Sequence, residues 1–228
     1  FKSSTRLALS RAIRARDSLL QLEKSCRNER ERVAWRDCVD LHESTIYYIS
    51  KTLDSSRFED SQTWLSAAMT NLETCTDGFV EFGIADGVVY DKISVDVRES
   101  ISDLLAMNRM DRYGGKENRK RRGFPGWVSK GDRKLLQLTP KTAAEIVVAK
   151  DGTGNYTTVS AAVAAAGERI GSGRIVIYVK KGVYNENVNV GRNLVSVFLV
   201  GDGIEETILT GSRSNHGDFT TYGSATLG

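Results

Sequence analysis

Proline is almost missing from this chain, at 2 of 228 residues. Both, Pro125 and Pro140, fall in one stretch, and neither proline nor glycine occurs from Phe1 to Asp77. That part of the chain carries no strong helix breaker. Histidine is equally scarce, with only His42 and His216, and no pair of cysteines is spaced as CxxC. A structural zinc site is excluded on that pattern. Long apolar runs are lacking too. None approaches the ~18 residues that span a bilayer. Phe1-Lys2-Ser3-Ser4-Thr5-Arg6 is not followed by the apolar core of a signal peptide, and the first residue is not Met. The reading is that the start was processed or is missing. Strong charge imbalance is absent: 32 Lys and Arg face 29 Asp and Glu, for a net charge of +3. This is far from the charge density of a dedicated nucleic-acid binder. Basic residues cluster only locally, at Arg119-Lys120-Arg121-Arg122 and at Arg133-Lys134. Cysteine is present three times, as Cys26, Cys38 and Cys75. An odd count implies one thiol outside any internal pair, or a partner beyond this chain.

What is there reads as a globular protein of two halves. Hydrophobic residues make up 40% and charged residues 27%, both ordinary values. The length suits one large domain or two modest ones. The first half has helical periodicity. Leu7, Leu9, Ala12, Ile13, Ala15, Leu19, Leu20 and Leu22 form a first stripe. Val33, Ala34, Cys38, Leu41, Thr45, Tyr48, Ile49 and Leu53 form a second, between Arg30 and Leu53. A third helix is expected to start at Asp60 or Ser61, either of which can cap it, and to end at Asp77-Gly78. It carries Trp64, Leu65, Ala68, Met69, Leu72 and Cys75. A fourth runs from about Asp86 to Met110, with Val89, Ile93, Val97, Ile101, Leu104 and Leu105 facing inward. Amphipathic helices with short connections predict an antiparallel four-helix bundle.

From Tyr113 to about Thr142 the composition changes. Gly114-Gly115, the basic run, Gly123-Phe124-Pro125-Gly126 and Pro140 read as a linker. After Ala144 the period becomes two. Ile146-Val147-Val148, Arg174 to Val179, Val195 to Val200 and Thr207-Ile208-Leu209 are rich in β-branched and aromatic residues, and Gly182, Gly191, Gly201, Gly203 and Gly211 punctuate them. Ser160 to Ala166 is a helical insertion. Short strands without long crossover helices suit stacked coils of a parallel β-helix. Periodicity alone leaves a small α/β sheet as the alternative.

Specific residues narrow this. Asp151-Gly152-Thr153-Gly154-Asn155-Tyr156-Thr157-Thr158-Val159, Gly182-Val183-Tyr184-Asn185-Glu186-Asn187-Val188 and Gly201-Asp202-Gly203 come first. Gly211-Ser212-Arg213-Ser214-Asn215 and Thr221-Tyr222-Gly223-Ser224-Ala225-Thr226 follow in order. Together they resemble the opening of plant pectin methylesterases, whose G-x-Y-x-E signature corresponds to Gly182, Tyr184 and Glu186. Asp37-Cys38-Val39-Asp40-Leu41, Trp64 to Asn71 and Thr74 to Phe79 resemble the inhibitor-like pro-region of the same precursors. Phe124-Pro125-Gly126-Trp127 and Asp132-Arg133-Lys134-Leu135-Leu136 resemble their processing segment. The resemblance implies residues 1–112 as an inhibitor-like pro-region and 113–142 as a linker with a processing site. Residues 143–228 would then be the N-terminal part of the catalytic domain, the start of a right-handed parallel β-helix. Two departures stand out. The family's pro-region opens with a helical hairpin bearing two more cysteines, which has no counterpart here. The family's catalytic glutamines, two aspartates and arginine would fall after Gly228, so no catalytic residue is expected in this chain.

The resemblance also implies residue roles. Cys38 and Cys75 correspond to an inter-helix disulfide, against the alternative of two buried thiols. Cys26, about three helical turns before Cys38 if one helix joins them, is too distant to bond it. Arg133, Lys134, Leu135 and Leu136 correspond to the cut made by subtilase-type proteases, and Arg119 to Arg122 offers a second candidate. Thr221 aligns with a threonine beside the substrate, against the reading of an ordinary strand threonine. Tyr184 and Glu186 line a sugar cleft or form a buried structural pair. Asp202, in a Gly-Asp-Gly turn, is structural, and Glu205 and Glu206 are solvated. His216 lacks partners for a serine-esterase triad. Asn155-Tyr156-Thr157 is an N-glycosylation sequon. The implied activity is hydrolysis of methyl esters of cell-wall homogalacturonan by an aspartate nucleophile, with no cofactor and no metal. Expected partners are pectin, the processing protease and the pro-region's own esterase, with no nucleic acid and no membrane span. Secretion to the plant cell wall is the expected location. Two other functions remain: an inhibitor-type binding module, and a non-catalytic carbohydrate-binding β-helix.

Overall fold

A computed structural model describes residues 1–84, 87–110, 144–169, 174–192, 194, 197–214 and 217–228. The chain divides into two compact units. The helical unit gathers the N-terminal helices with the segment Arg213–Ser224, and the coil unit gathers the strands with Ala225–Gly228.

Four helices build the helical unit: α1 (Lys2–Gln21), α2 (Glu29–Asp54), α3 (Phe58–Glu81) and α4 (Gly87–Met110). Each packs on its neighbours in sequence, and α1 also packs on α4, which closes the bundle. The buried face of α1 is Thr5, Ala8, Ala12, Ala15 and Leu19. Leu7, Ile13 and Leu20 are exposed, contrary to the expected stripe. Alanines at three- and four-residue spacing let neighbouring helices approach closely, so small residues rather than the largest ones mark the inner face. Between α1 and α2 the chain breaks through a 3₁₀ turn at Glu23–Ser25. Cys26 and Cys38 therefore do not share one helix. Asn28 caps α2, its side-chain oxygen accepting from the Glu31 N–H at 2.9 Å. Glu31 in turn accepts from the Arg27 N–H at 2.8 Å, close to a capping box.

α3 starts at Phe58, without a side-chain cap, rather than at Asp60 or Ser61. The Ser55 hydroxyl accepts from the Arg57 N–H at 3.1 Å and places the break earlier. Ser61, inside the helix, donates to the Arg57 carbonyl. Nor does α3 end at Asp77-Gly78. It ends at a Schellman turn, with the Gly83 N–H on the Val80 carbonyl and the Ile84 N–H on the Phe79 carbonyl. Gly83 has φ of 67°, the left-handed region that this turn requires.

The coil unit holds β1 (Ile146–Val148), α5 (Val159–Glu168), β2 (Ile175–Val179), β3 (Gly182–Asn185), β4 (Val197–Gly201) and β5 (Thr207–Thr210). All pairings between these strands are parallel: β1 with β2, β2 with β4, and β3 with β5. β2–β3 and β4–β5 are successive coils, each giving one strand to each of two sheets. A third parallel contact joins Val188 to Leu227. Two coils stacked in register at three places form the start of a parallel β-helix, and the small α/β sheet is set aside. β2 is buried at every position, as a strand covered on both faces must be. α5 covers one end of the core with Val159, Ala162, Val163 and Ala166.

Candidate functional site

The signature residues of the coil unit are tied into its framework. Gly182, at φ of 149°, turns the chain from β2 into β3 in a conformation that L side chains rarely adopt. The Tyr184 ring is 1% exposed, and its hydroxyl donates to the Lys180 carbonyl at 2.9 Å. Burial pushes its pKa up. Glu186 accepts from the backbone N–H groups of Val159 and Ser160, each at 2.9 Å, and from the Ser160 hydroxyl at 2.6 Å. It therefore sits on the N-terminus of α5, where helix N–H groups lack partners and the dipole favours an anion. Burial raises its pKa, but the Ser160 and Val159 hydrogen bonds outweigh that and leave it lowered. Sequence reasoning had no means of pairing Glu186 with a helix start 26 residues earlier.

Asp202 likewise serves the framework. One oxygen accepts from the Tyr178 hydroxyl and the other from the Lys181 N–H at 2.7 Å. Burial, and then this bond, hold Tyr178 up at about 12. The Asp202 N–H is itself bonded to the Thr207 hydroxyl at 2.9 Å. Glu205 and Glu206 are exposed. The Asn155 side-chain oxygen accepts from the Val147 N–H at 2.8 Å.

Within the helical unit, the segment Arg213–Ser224 is held by side chains of α2 and α3. The Thr220 hydroxyl donates to Asp37, and Thr220 is 1% exposed. The Thr221 N–H donates to Glu81 at 2.7 Å, and the Tyr222 hydroxyl donates to Asp40 at 2.6 Å. Arg30 lies 3.8 Å from Asp218. The Thr220 methyl lies 3.4 Å from where a side chain on Gly78 would begin, an ordinary packing distance. Burial raises the Asp37 pKa, opposed by the Thr220 bond. Thr221 itself is exposed. The sequence drew attention to Thr221, yet the buried hydroxyl is that of Thr220.

Cys38 and Cys75 form a disulfide between α2 and α3, with Cα atoms 4.5 Å apart. His42 lies beside it, with Nδ1 2.9 Å from the Cys38 carbonyl and Nε2 3.1 Å from the Ser94 hydroxyl. The three side chains are close enough to hold a metal, but both sulfurs are consumed by the bond. Cys26 is half-buried outside the disulfide and donates to the Leu22 carbonyl. Arg133, Lys134, Leu135, Leu136, Arg119 to Arg122 and His216 lie outside the described residues. Among the described residues, no helix is long and apolar enough to cross a membrane.

A helical bundle with an inter-helix disulfide, followed by parallel coils, defines a two-part class of protein. Residues 1–107 match the family of plant invertase and pectin methylesterase inhibitors. Residues 145–228 match the pectinesterase family. Pectinesterase 2 of Citrus sinensis is 47% identical over 100% of this chain and 43% of its own length. A probable pectinesterase/pectinesterase inhibitor 17 of Arabidopsis thaliana is 46% identical over 99% of this chain and 43% of its own. Among solved structures, a pectin methylesterase from carrot is 46% identical, covering 37% of this chain and 26% of that one, at a TM-score of 0.35. The chain belongs to the pectinesterase/pectinesterase-inhibitor family, and spans 43% of the length of these two relatives.

Proposed function

We propose that this chain is part of a pectinesterase precursor that hydrolyses methyl esters of cell-wall homogalacturonan to free carboxylates and methanol. The reading is carried by the similarity to proteins named as pectinesterases, which runs through both units at 47% identity. The carboxylates of the coil unit nearest to signature residues are engaged elsewhere: Glu186 caps α5, and Asp202 holds Tyr178 and the Lys181 N–H. Neither is free to serve as nucleophile. The 228-residue stretch by itself is therefore expected to release no methanol from pectin, while the precursor extended beyond Gly228 releases it. Turnover by the isolated stretch would overturn this assignment of roles, and an inert extended precursor would overturn the esterase reading.

The remaining parts of the reading follow from that precursor. Residues 113–142 are a linker cut at Arg133-Lys134-Leu135-Leu136 by a subtilase-type protease, a reading supported by the resemblance of that segment to the family's processing segment. Thr221 contacts the substrate, and the product is secreted to the cell wall. Replacing Arg133 and Lys134 should enlarge the secreted species on a denaturing gel, and an unchanged size would remove the assignment.

A second reading, an inhibitor-type binding module, is favoured by one observation. Asp37, Asp40 and Glu81 on α2 and α3 accept hydrogen bonds from Thr220, Tyr222 and the Thr221 N–H, residues within the pectinesterase-like part of the sequence. The helices thus present a carboxylate face suited to a hydroxyl-rich peptide segment. Adding the chain to a mature pectinesterase should slow methanol release and co-elute with it. Full activity with no co-elution would remove this reading.

A further inference from the structure

Three helices meet at one buried polar spot in the helical unit. Cys38 and His42 are both buried residues of α2, and their four-residue spacing puts them on one face of it. Cys75 reaches them from α3, and Ser94 from α4. All four side chains are at most 1% exposed. The two sulfurs and a ring nitrogen of His42 lie within 4.8 Å of one another. Cys38 Sγ is 3.7 Å from His42 Nδ1. On a tetrahedral zinc ion, a thiolate and an imidazole stand about 3.6 Å apart, so this pair is already at ligand spacing. Two thiolates on the ion stand about 3.8 Å apart, so each sulfur has to move by about 1 Å from its place in the disulfide. The other ring nitrogen, Nε2, faces the Ser94 hydroxyl at 3.1 Å. With a metal on Nδ1, the proton sits on Nε2 and is donated to Ser94, the outer partner that metal-bound histidines ordinarily have. Nδ1 gives up its contact with the Cys38 carbonyl, at 2.9 Å, in exchange. Two thiolates balance the charge of a divalent ion, so no net charge is buried. The lack of CxxC spacing does not bear on such a set, because its two cysteines lie 37 residues apart on different helices.

We propose that Cys38, His42 and Cys75 form a zinc site in the reduced chain, which the disulfide closes in the oxidised one. Reduction needs an external two-electron donor of the phosphine or dithiol class. With a phosphine, the S–S bond breaks, and water gives its oxygen to phosphorus and its two hydrogens to the sulfurs. Two thiols and a phosphine oxide result. Zinc then displaces both thiol protons to the buffer and takes two thiolates and Nδ1, with a fourth position left for water. The same side chains thus tie α2 to α3 in either redox state, through a covalent bond in one and through the ion in the other.

Cobalt(II) and zinc titrations of the full chain test this, with the chain reduced by a water-soluble phosphine that is then removed without air. Cobalt should give thiolate charge-transfer absorption at one ion per chain, and zinc should displace it. The oxidised chain should show neither. H42Q should weaken zinc binding more than about 100-fold, beyond the effect of losing an outer partner, and S94A should weaken it about tenfold. C26S should bind as the wild type does. H42Q keeps its disulfide when oxidised, so its fold is checked before reduction. Binding by the oxidised chain, equal affinity in H42Q, or loss of binding in C26S would overturn the proposal. If the reduced chain loses helix without metal, far-ultraviolet circular dichroism decides. Zinc should then restore the helix in the wild type and not in H42Q, and binding without recovered helix would overturn the site. Methanol release plays no part in these readouts, so failure here is separate from failure of the esterase reading.

Discussion

The helical unit and the coil unit bury their cores by different routes. In the helices, burial follows a local period: Cys38, Leu41, Thr45 and Ile49 share one face of α2 because they lie three or four residues apart. In the coils, burial depends on register between distant strands: Ile177 meets Ile146 on one side and Leu199 on the other. The helical unit adds a covalent tie and a buried histidine. The coil unit has neither among its described residues and relies on hydrogen-bonded turns, of which the Asp202 corner and the Glu186 cap are the clearest. A local design tolerates mistakes in long-range placement better than a register design does. The two units should therefore fail independently and respond to different perturbations.

The largest expected effect is on the disulfide. Replacing Cys38 and Cys75 together by alanine should destabilise the helical unit by roughly 3–4 kcal/mol in the chain-entropy picture. Amide hydrogen exchange would read this as lost protection in α2 and α3 with the β2 amides unchanged. Equal losses in both units would break the comparison.

Glu186→Ala acts on the other side. It leaves the Val159 and Ser160 N–H groups without their acceptor and should cost the coil unit about 1–2 kcal/mol. The loss should be confined to α5 and the strands it covers, with α1 to α4 unaffected. Glu186→Gln should recover part of it, because an amide oxygen can accept one of those bonds.

The smallest effect, and the sharpest, is on pH dependence within the helical unit. Asp37 has a folded pKa above its ordinary 3.8, mainly through burial. Its contribution is fully present below 3.8 and is lost as pH rises through the raised value. Burial lowers the His42 pKa below 6.5, so the unfolded chain takes up that proton first, and stability falls as pH drops below 6.5. The two groups oppose each other across the mildly acidic range. Asp37→Asn should remove the gain on acidification and leave the loss, and His42→Gln should do the reverse. Urea titrations at pH 4, 5.5 and 7 would check this. Parallel profiles for both variants would show that neither group governs the unit.

Much of this architecture was legible beforehand, and the misses have physical causes. α2 and α4 were readable because their inward residues are large and periodic. α1 was misjudged at Leu7, Ile13 and Leu20 because hydrophobicity ranks leucine above alanine, whereas close helix contact favours alanine. The start of α3 was misplaced because Asp60 and Ser61 look like caps, while the Ser55 turn set the break. Gly78 looked like a helix end but lies inside α3, which continues to Glu81. The strands at Ile146, Ile175, Val197 and Thr207 were visible as β-branched runs. β3 was not, because Gly182-Val183-Tyr184-Asn185 has too little alternation. The roles of Glu186 and Thr220 were hidden for one reason: their partners are 26 and 183 residues away.

By itself the sequence determined which segments are helical and which extended, since period and breakers are local properties of the chain. It also carried the motifs that mark the family. The tertiary structure decided which carboxylates are spent on the framework and which threonine is buried. Those outcomes depend on long-range proximity, because a side chain's hydrogen bonds and its ionisation are set by the groups that folding brings beside it.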